Sequence, residues 1–158
     1  MTESQTASEP FILFELAKTT YAIRAELVQQ MEMIETITPV PNAPKFVEGV
    51  VFSRGQVIPA INLRIKLGLQ KAEYDLRTRL IVIQTGSRTV GAIADSAREF
   101  VSIPSNAIQP PPDAIGSSGK YISGIIRLGE RIILLLNLEE LLQSVDEMTE
   151  NSAVNVDG

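Results

Sequence analysis

The sequence predicts a mainly β chain folded as two five-stranded barrels packed side by side, with short helices and one longer helix near the C-terminus. Three observations carry this. The stretch Phe46 to Leu67 (FVEGVVFSRGQVIPAINLRIKL) returns as Tyr121 to Leu142 (YISGIIRLGERIILLLNLEELL), with Gly49 falling on Gly124, Asn62 on Asn137 and Leu67 on Leu142 without a gap. Apolar runs are short and β-branched, and turn signals recur about every ten residues, the spacing of small all-β folds. At 158 residues and 44% hydrophobic, the chain can bury a core as one domain or as two small coupled ones.

Taken in order, residues 1–9 are polar and are expected to be a disordered tail. Phe11 to Leu16 (FILFEL) reads as a buried strand that turns through Ala17–Thr20 into a second, Tyr21 to Ile23. Ala25 to Gln29 has room for one helical turn, and Gln30 to Ile37 (QMEMIETI) reads as a strand with a bulge, its Met31 and Met33 assigned to the core. Pro39, Pro41 and Pro44 enforce an extended connection. Each repeat copy is then a hairpin feeding a helix, with Asn62 or Asn137 placed to cap the helix N-terminus.

Gln70 to Thr78 is polar and is expected to link the halves. Arg79 to Thr85 opens the second half as FILFEL opened the first, followed by strands at Thr89–Ala94 and Glu99–Ile103. Pro104 to Lys120 has no periodicity. The expected domain is 10–147, with a first barrel over about 20–78, a second over about 79–136, terminal segments crossing between them, and a disordered tail over 148–158. The groove between the barrels is the natural binding surface.

Composition narrows the function. Cysteine and histidine are absent, which removes disulfides, thiolate zinc sites and the usual general base. The net charge of −5 sits in the tails, and the body carries 14 basic against 13 acidic residues. Arg64, Lys66, Lys71, Arg77 and Arg79 form the only basic cluster, read as a solvated surface, so nucleic acid is not an expected partner. The longest apolar run, Ile132 to Leu136, is too short to cross a bilayer, and the N-terminus lacks an export signal, so a cytoplasmic protein without membrane insertion is expected.

No metal, cofactor or catalysis is expected, since Glu48, Asp75, Asp95 and Glu130 are scattered acids with no pairing in their spacing. Asp95 reads as a turn former bonding backbone amides. Arg54 stands at a hairpin tip where the second copy has Gly129; read from composition alone it is a solvated turn arginine. An adaptor, a small-ligand-binding double barrel and an acid-pair enzyme using Asp95 and Glu48 remain the three classes to separate.

With Arg54-Gly55 inside GVVFSRGQVIPAINLR, with Ala94-Asp95, and with Tyr121 and Gly124 ahead of the leucine-rich helix, the chain resembles the bacterial chemotaxis coupling protein family CheW from Phe11 to about Leu142. Phe52-Ser53 depart from that family's usual pair before the arginine, as do Ala94 and Ala97 around Asp95, and Arg79. The resemblance implies two SH3-like five-stranded barrels and a non-catalytic adaptor. Its partners would be the cytoplasmic helical hairpin tip of chemoreceptors and the regulatory domain of a CheA-like histidine kinase, in chemotaxis or related twitching-motility signalling, at membrane receptor arrays. It implies a receptor-binding groove lined by Val28, Gln30, Arg54, Val57, Arg79, Gly91 and Phe100, and a kinase-binding face at Pro41, Pro44, Phe46 and Glu48.

Overall fold

The structure, a computed structural model, describes residues 7–113 and 119–143. Hairpin β1 (Ser8–Leu16) and β2 (Thr19–Arg24) closes on Ala17 and Lys18, both left-handed at φ 52° and 71°. A 3-10 turn at Ala25–Leu27 leads to β3 (Val28–Met33). β4 (Val47–Ser53), β5 (Gln56–Asn62) and α1 (Leu63–Lys66) are the first repeat copy. Then come β6 (Arg79–Thr85), β7 (Arg88–Ala94) and β8 (Ser96–Pro104). A 3-10 turn at Ser105–Ala107 and the two-residue β9 (Ile108–Gln109) give structure to part of the aperiodic stretch. β10 (Ile122–Leu128), β11 (Arg131–Leu136) and a helix α2, described over 138–143, are the second copy.

The chain is mainly β, as expected, but its sheets cut the sequence differently from the expected boundaries at 20–78 and 79–136. One sheet has the order β3-β6-β7-β5-β4 and is a continuous insert over 28–94; the other, β8-β1-β2-β11-β10-β9, is assembled from the flanking stretches. The polar stretch 70–78 therefore joins strands of one sheet rather than linking two halves. Each repeat hairpin joins another hairpin through one parallel pair, β5 beside the later β7 and β11 beside the earlier β2. The duplication is visible in sequence, whereas which hairpins share a sheet is a long-range choice that no local pattern records. Ser8 and Glu9, expected in a tail, extend β1 along β8, where Ser8 pairs Pro104 and Glu9 pairs Ile103. The remaining tail expectations, 1–6 and 148–158, lie outside the described residues.

The apolar runs follow from burial on both strand faces. On β1, Phe11 and Leu13 point into one sheet's own core, while Ile12, Phe14 and Leu16 point the other way. β6 divides the same way: Leu80 and Val82 fill the interior of the five-stranded sheet, and Ile81 and Ile83 face outward. The outward sets meet in a central layer that also takes Tyr21, Ile23, Ile61, Ala92, Leu136 and, from α1 and α2, Leu63, Leu138, Leu141 and Leu142. Alternation gives β1 and β6 two buried faces, so FILFEL and RLIVIQT read as continuous apolar runs.

The copies also share their local devices. Asn62 Oδ1 accepts from the Ile65 amide at 3.2 Å and Asn137 Oδ1 from the Glu140 amide at 3.1 Å, capping α1 and α2. The Asn62 and Asn137 amides donate to the Phe46 and Tyr121 carbonyls, each at 2.7 Å. Both hairpins slip register at the same place, between Val47 and Gly49 and between Ile122 and Gly124. A Cβ on Gly49, at φ 150°, would stand 2.1 Å from the Thr38 carbonyl oxygen, whereas one on Gly124 would stand 3.0 Å from the Ile108 Cγ2.

The described chain crosses between sheets at Ala25–Leu27 and again at Asp95. The Asp95 amide donates to the Glu15 carbonyl at 3.0 Å, and its Oδ2 accepts from the Ala17 amide at 2.8 Å, the amide-bonding role expected of it. Arg64 grips the same carboxylate in fork geometry, Nε to Oδ1 at 2.9 Å and Nη2 to Oδ2 at 2.6 Å. Burial alone would raise the Asp95 pKa; the Arg64 and Ala17 hydrogen bonds, with the Arg64 and Arg77 charges, outweigh it and hold the carboxyl below its ordinary 3.8.

Two outcomes follow. Because the folded carboxyl is depressed, its contribution is complete above the unfolded pKa and is lost as pH falls through the folded value. Asp95→Asn should cost about 1–3 kcal/mol near neutrality, and should flatten the acid side of a stability-against-pH profile measured by denaturant unfolding. Gly49→Ala should lower the unfolding midpoint far more than Gly124→Ala, by more than about 3 kcal/mol against about 1, because the Thr38 carbonyl oxygen lies at 2.1 Å, whereas at Gly124 the Ile108 methyl at 3.0 Å can yield and the Gln109 carbonyl oxygen stands off at 3.2 Å.

Candidate functional site

Along two of the four edge strands, one on each sheet, exposed apolar side chains share the face of the central layer. On the five-stranded sheet this is β3, where Met31 is the Cα partner of Ile81 and Met33 of Arg79. Residues paired across a ladder point to the same face, so both methionines lie on the side where Ile81 enters the central layer. Met31 and Met33 are exposed, Met33 by 53%, which corrects their assignment to the core. On the other sheet the edge is β8, where Phe100 pairs Ile12 of the central layer and is 69% exposed. Two edge strands, one on each sheet, therefore carry exposed apolar side chains on the face of one layer, the face on which the expected groove would run.

Of the residues expected in that groove, Val28 packs against the central layer, and Phe100 and Arg79 share its face. The Arg79 guanidinium is tied down, its Nη1 donating to the Leu76 carbonyl at 2.8 Å and the Thr78 carbonyl at 2.9 Å. Gln30 points the opposite way, with Val82, toward the mouth of the five-stranded sheet. There Gln30 Nε2 donates to Ser53 Oγ at 2.9 Å, and Ser53 Oγ donates to Glu32 Oε2 at 2.7 Å.

Arg54 reaches the same mouth, helping to line an open polar depression of about 270 Å³ with Gln29, Gln30, Ser53 and Gln84. It is exposed, forms no side-chain hydrogen bond or ion pair among the described residues, and sits at φ 50° in a two-residue turn with Gly55. Arginine in the left-handed region is strained, because its Cβ crowds the following carbonyl.

Val57 is 64% exposed on the outer face of the β4–β5 hairpin, paired with Phe52 at 74%. Gly91 does not line the groove. It is buried, and a Cβ there would meet Leu80 Cδ1 at 2.7 Å inside the sheet's own core, so it is a packing position.

The expected kinase-facing residues are mixed. Pro41 is exposed, and Pro44 is half-buried with its carbonyl accepting from the Val47 amide at 2.9 Å. Phe46 packs against the central layer beneath Lys66, whose Nζ lies 4.1 Å from its ring centroid and 5.3 Å from that of Tyr121. Glu48 is engaged internally, accepting from Asn62 Nδ2 at 2.8 Å and from Lys71 Nζ at 3.3 Å. The Tyr74 phenol beside it is pushed up to about 12, first by its own burial and then by the Glu48 charge.

The basic cluster read as a solvated surface is thus largely committed. Arg64 is held by Asp95, Lys66 by two rings, Lys71 by Glu48 and Arg79 by carbonyls, which leaves Arg77 facing solvent. Glu48 and Asp95, the two carboxylates weighed for catalysis, each spend both oxygens on such structural bonds.

Met31 and Met33 alternate with Gln30 and Glu32 along β3, and that alternation is a signal the sequence did carry. What it lacked was the fact that β3 is an edge strand, for which the outward methionines have no covering sheet.

With this geometry in hand, comparison with known proteins is specific. The family model for the CheW-like domain matches residues 10–146. The chemotaxis protein CheW of Klebsiella aerogenes is 34% identical over 141 residues, covering 89% of this chain and 85% of its own length. The protein FrzA of Myxococcus xanthus is 31% identical, covering 86% of each. Among solved structures, the scaffolding protein TtCheW of Thermoanaerobacter tengcongensis superposes with a TM-score of 0.78 at 27% identity, covering 83% of this chain and 90% of that one. With its family match, its relatives and its fold in agreement, the chain belongs to the CheW-like domain family.

Proposed function

We propose that this chain is a non-catalytic cytoplasmic adaptor that couples chemoreceptors to a CheA-like histidine kinase, in chemotaxis or a related motility pathway, and is recruited to membrane receptor arrays through those partners. The receptor's helical hairpin tip lies in the groove, against Val28, Met31, Met33 and Arg79 on one side and Phe100 on the other. Arg54 and Gln30 at the sheet mouth and Val57 on the adjoining hairpin make flanking contacts. The kinase's regulatory domain meets the face around Pro41, Pro44 and Phe46, with Glu48 holding that face in shape rather than reaching out of it.

One observation carries this reading: exposed methionines and a phenylalanine sit on edge strands of two different sheets, on the faces that share one apolar layer. An amphipathic helix docks by laying spaced apolar side chains into an apolar groove. Methionine suits the task, since its unbranched thioether adapts to the surface it meets. The similarity to proteins named for chemotaxis and scaffolding points the same way.

Binding measured by calorimetry, separately to a chemoreceptor cytoplasmic fragment and to the kinase regulatory domain of the same organism, tests it. Met33→Asp and Phe100→Asp should each weaken receptor binding roughly tenfold or more, the worth of one buried apolar side chain, and leave kinase binding unchanged. Unchanged receptor binding in both variants would overturn the groove assignment.

Arg54→Glu should abolish receptor coupling while the protein remains folded. Arg54→Gly should lose the same coupling yet unfold at equal or higher denaturant, gaining up to about 1 kcal/mol from relief of the left-handed backbone. A glycine variant that couples normally would show that the guanidinium has no part in recognition.

A further inference from the structure

The loop between α1 and β6 displays a side chain that neither the core nor the groove uses. Leu76 is 81% exposed, more than any other large apolar residue among those described. Its backbone is nevertheless firmly built. The Asp75 amide donates to Thr78 Oγ1 at 2.8 Å, the Arg77 amide to Asp75 Oδ1 at 2.8 Å, and the Thr78 amide to the Asp75 carbonyl at 3.1 Å. Arg79 Nη1 clamps the Leu76 and Thr78 carbonyls from the other side, and Thr78 is buried.

The turn is also continuous with the groove. Arg79, which holds the Leu76 carbonyl, is the ladder partner of Met33, so Leu76 stands beyond the methionine end of the β3 rim. Next to it Arg77 is largely exposed, and its ion-pair partner among the described residues, Asp75, is 3.9 Å away, a loose pair in water. A tip that sets an apolar side chain and a guanidinium side by side is complementary to an apolar notch bordered by a carboxylate. Helix surfaces offer such notches between side chains three and four positions apart, with an acid one turn away. A lone leucine with one arginine is too little apolar surface to hold a membrane.

We infer that Leu76 is a preformed anchor that extends the receptor groove onto this loop, entering an apolar notch on the docked helical hairpin while Arg77 pairs with a carboxylate beside that notch. The inference rests on the adaptor reading and names the partner chemistry at one end of it. Because the turn is ordered before binding, little conformational entropy is lost when it docks.

The test uses the full chain with the same receptor fragment and kinase domain. Leu76→Ser should weaken receptor binding about tenfold, Leu76→Met should retain it, and Arg77→Glu should weaken it severalfold and reduce its dependence on salt. Asp75→Ala, which loosens the turn without touching the leucine, should also weaken binding. The unfolding midpoint of Leu76→Ser should match the parent, since nothing is lost from the core. If Leu76→Ser binds receptor as well as the parent while Met33→Asp does not, the anchor is overturned and the groove stands. If neither variant loses binding, the groove reading falls and takes the anchor with it. Weakened kinase binding with receptor binding intact would also overturn the inference, assigning the loop to the other partner.

Discussion

The structure depends on one apolar layer shared by two sheets. Neither sheet is closed off from the other: Ile12, Phe14 and Leu16 of β1 and Ile81 and Ile83 of β6 turn their backs on their own sheet's core and meet in the middle, with Leu63 and the leucines of α2 filling the ends. Burial of this kind is non-directional and roughly proportional to area, so it joins the sheets without dictating the angle between them. Directional contacts set that angle. Asp95 ties the crossing segment to Arg64 on one side and Ala17 on the other, and Lys66 lies between the Phe46 and Tyr121 rings of the two copies.

This division between an apolar layer and a few polar clips explains where apolar side chains are left exposed. A layer shared by two sheets must end somewhere, and it ends at the strands with a partner on one side only. β3 and β8 are two of the four such strands, with β4 and β9, and both carry exposed apolar side chains on the face of the shared layer. Exposed edges are a hazard in most β proteins because they invite pairing with other chains. Here polar or charged residues alternate with the apolar ones on these two edges, Gln30 and Glu32 on β3 and Glu99 on β8.

The duplicated hairpins show how one scaffold supports unequal roles. Caps, register slips and backbone bonds are the same in both, down to the 2.7 Å bonds from Asn62 and Asn137. The tips differ. The first offers Phe52, Arg54 and Val57, with the arginine held in a strained left-handed turn; the second has Arg127, Gly129 and Ile132, with a relaxed glycine at the equivalent bend. The left-handed bend is held by an arginine in one copy and by a glycine in the other, so the two tips differ in backbone strain.

What could be read from the residues alone was local: the hairpins, the correspondence of Gly49 with Gly124, the asparagine caps, the amide-bonding role of Asp95 and the kinship carried by the Arg54 and Asp95 motifs. Each is specified within a few residues by side-chain volume, alternation or capping chemistry. Sheet membership was not readable, because β6–β7 could satisfy its apolar faces beside either repeat hairpin, and only closure of the whole layer selects β5 as the parallel neighbour of β7. The same choice decided exposure. Met31 and Met33 have the alternation of a half-buried strand, and it is their place at the rim, with no strand beyond them, that turns two core candidates into exposed surface.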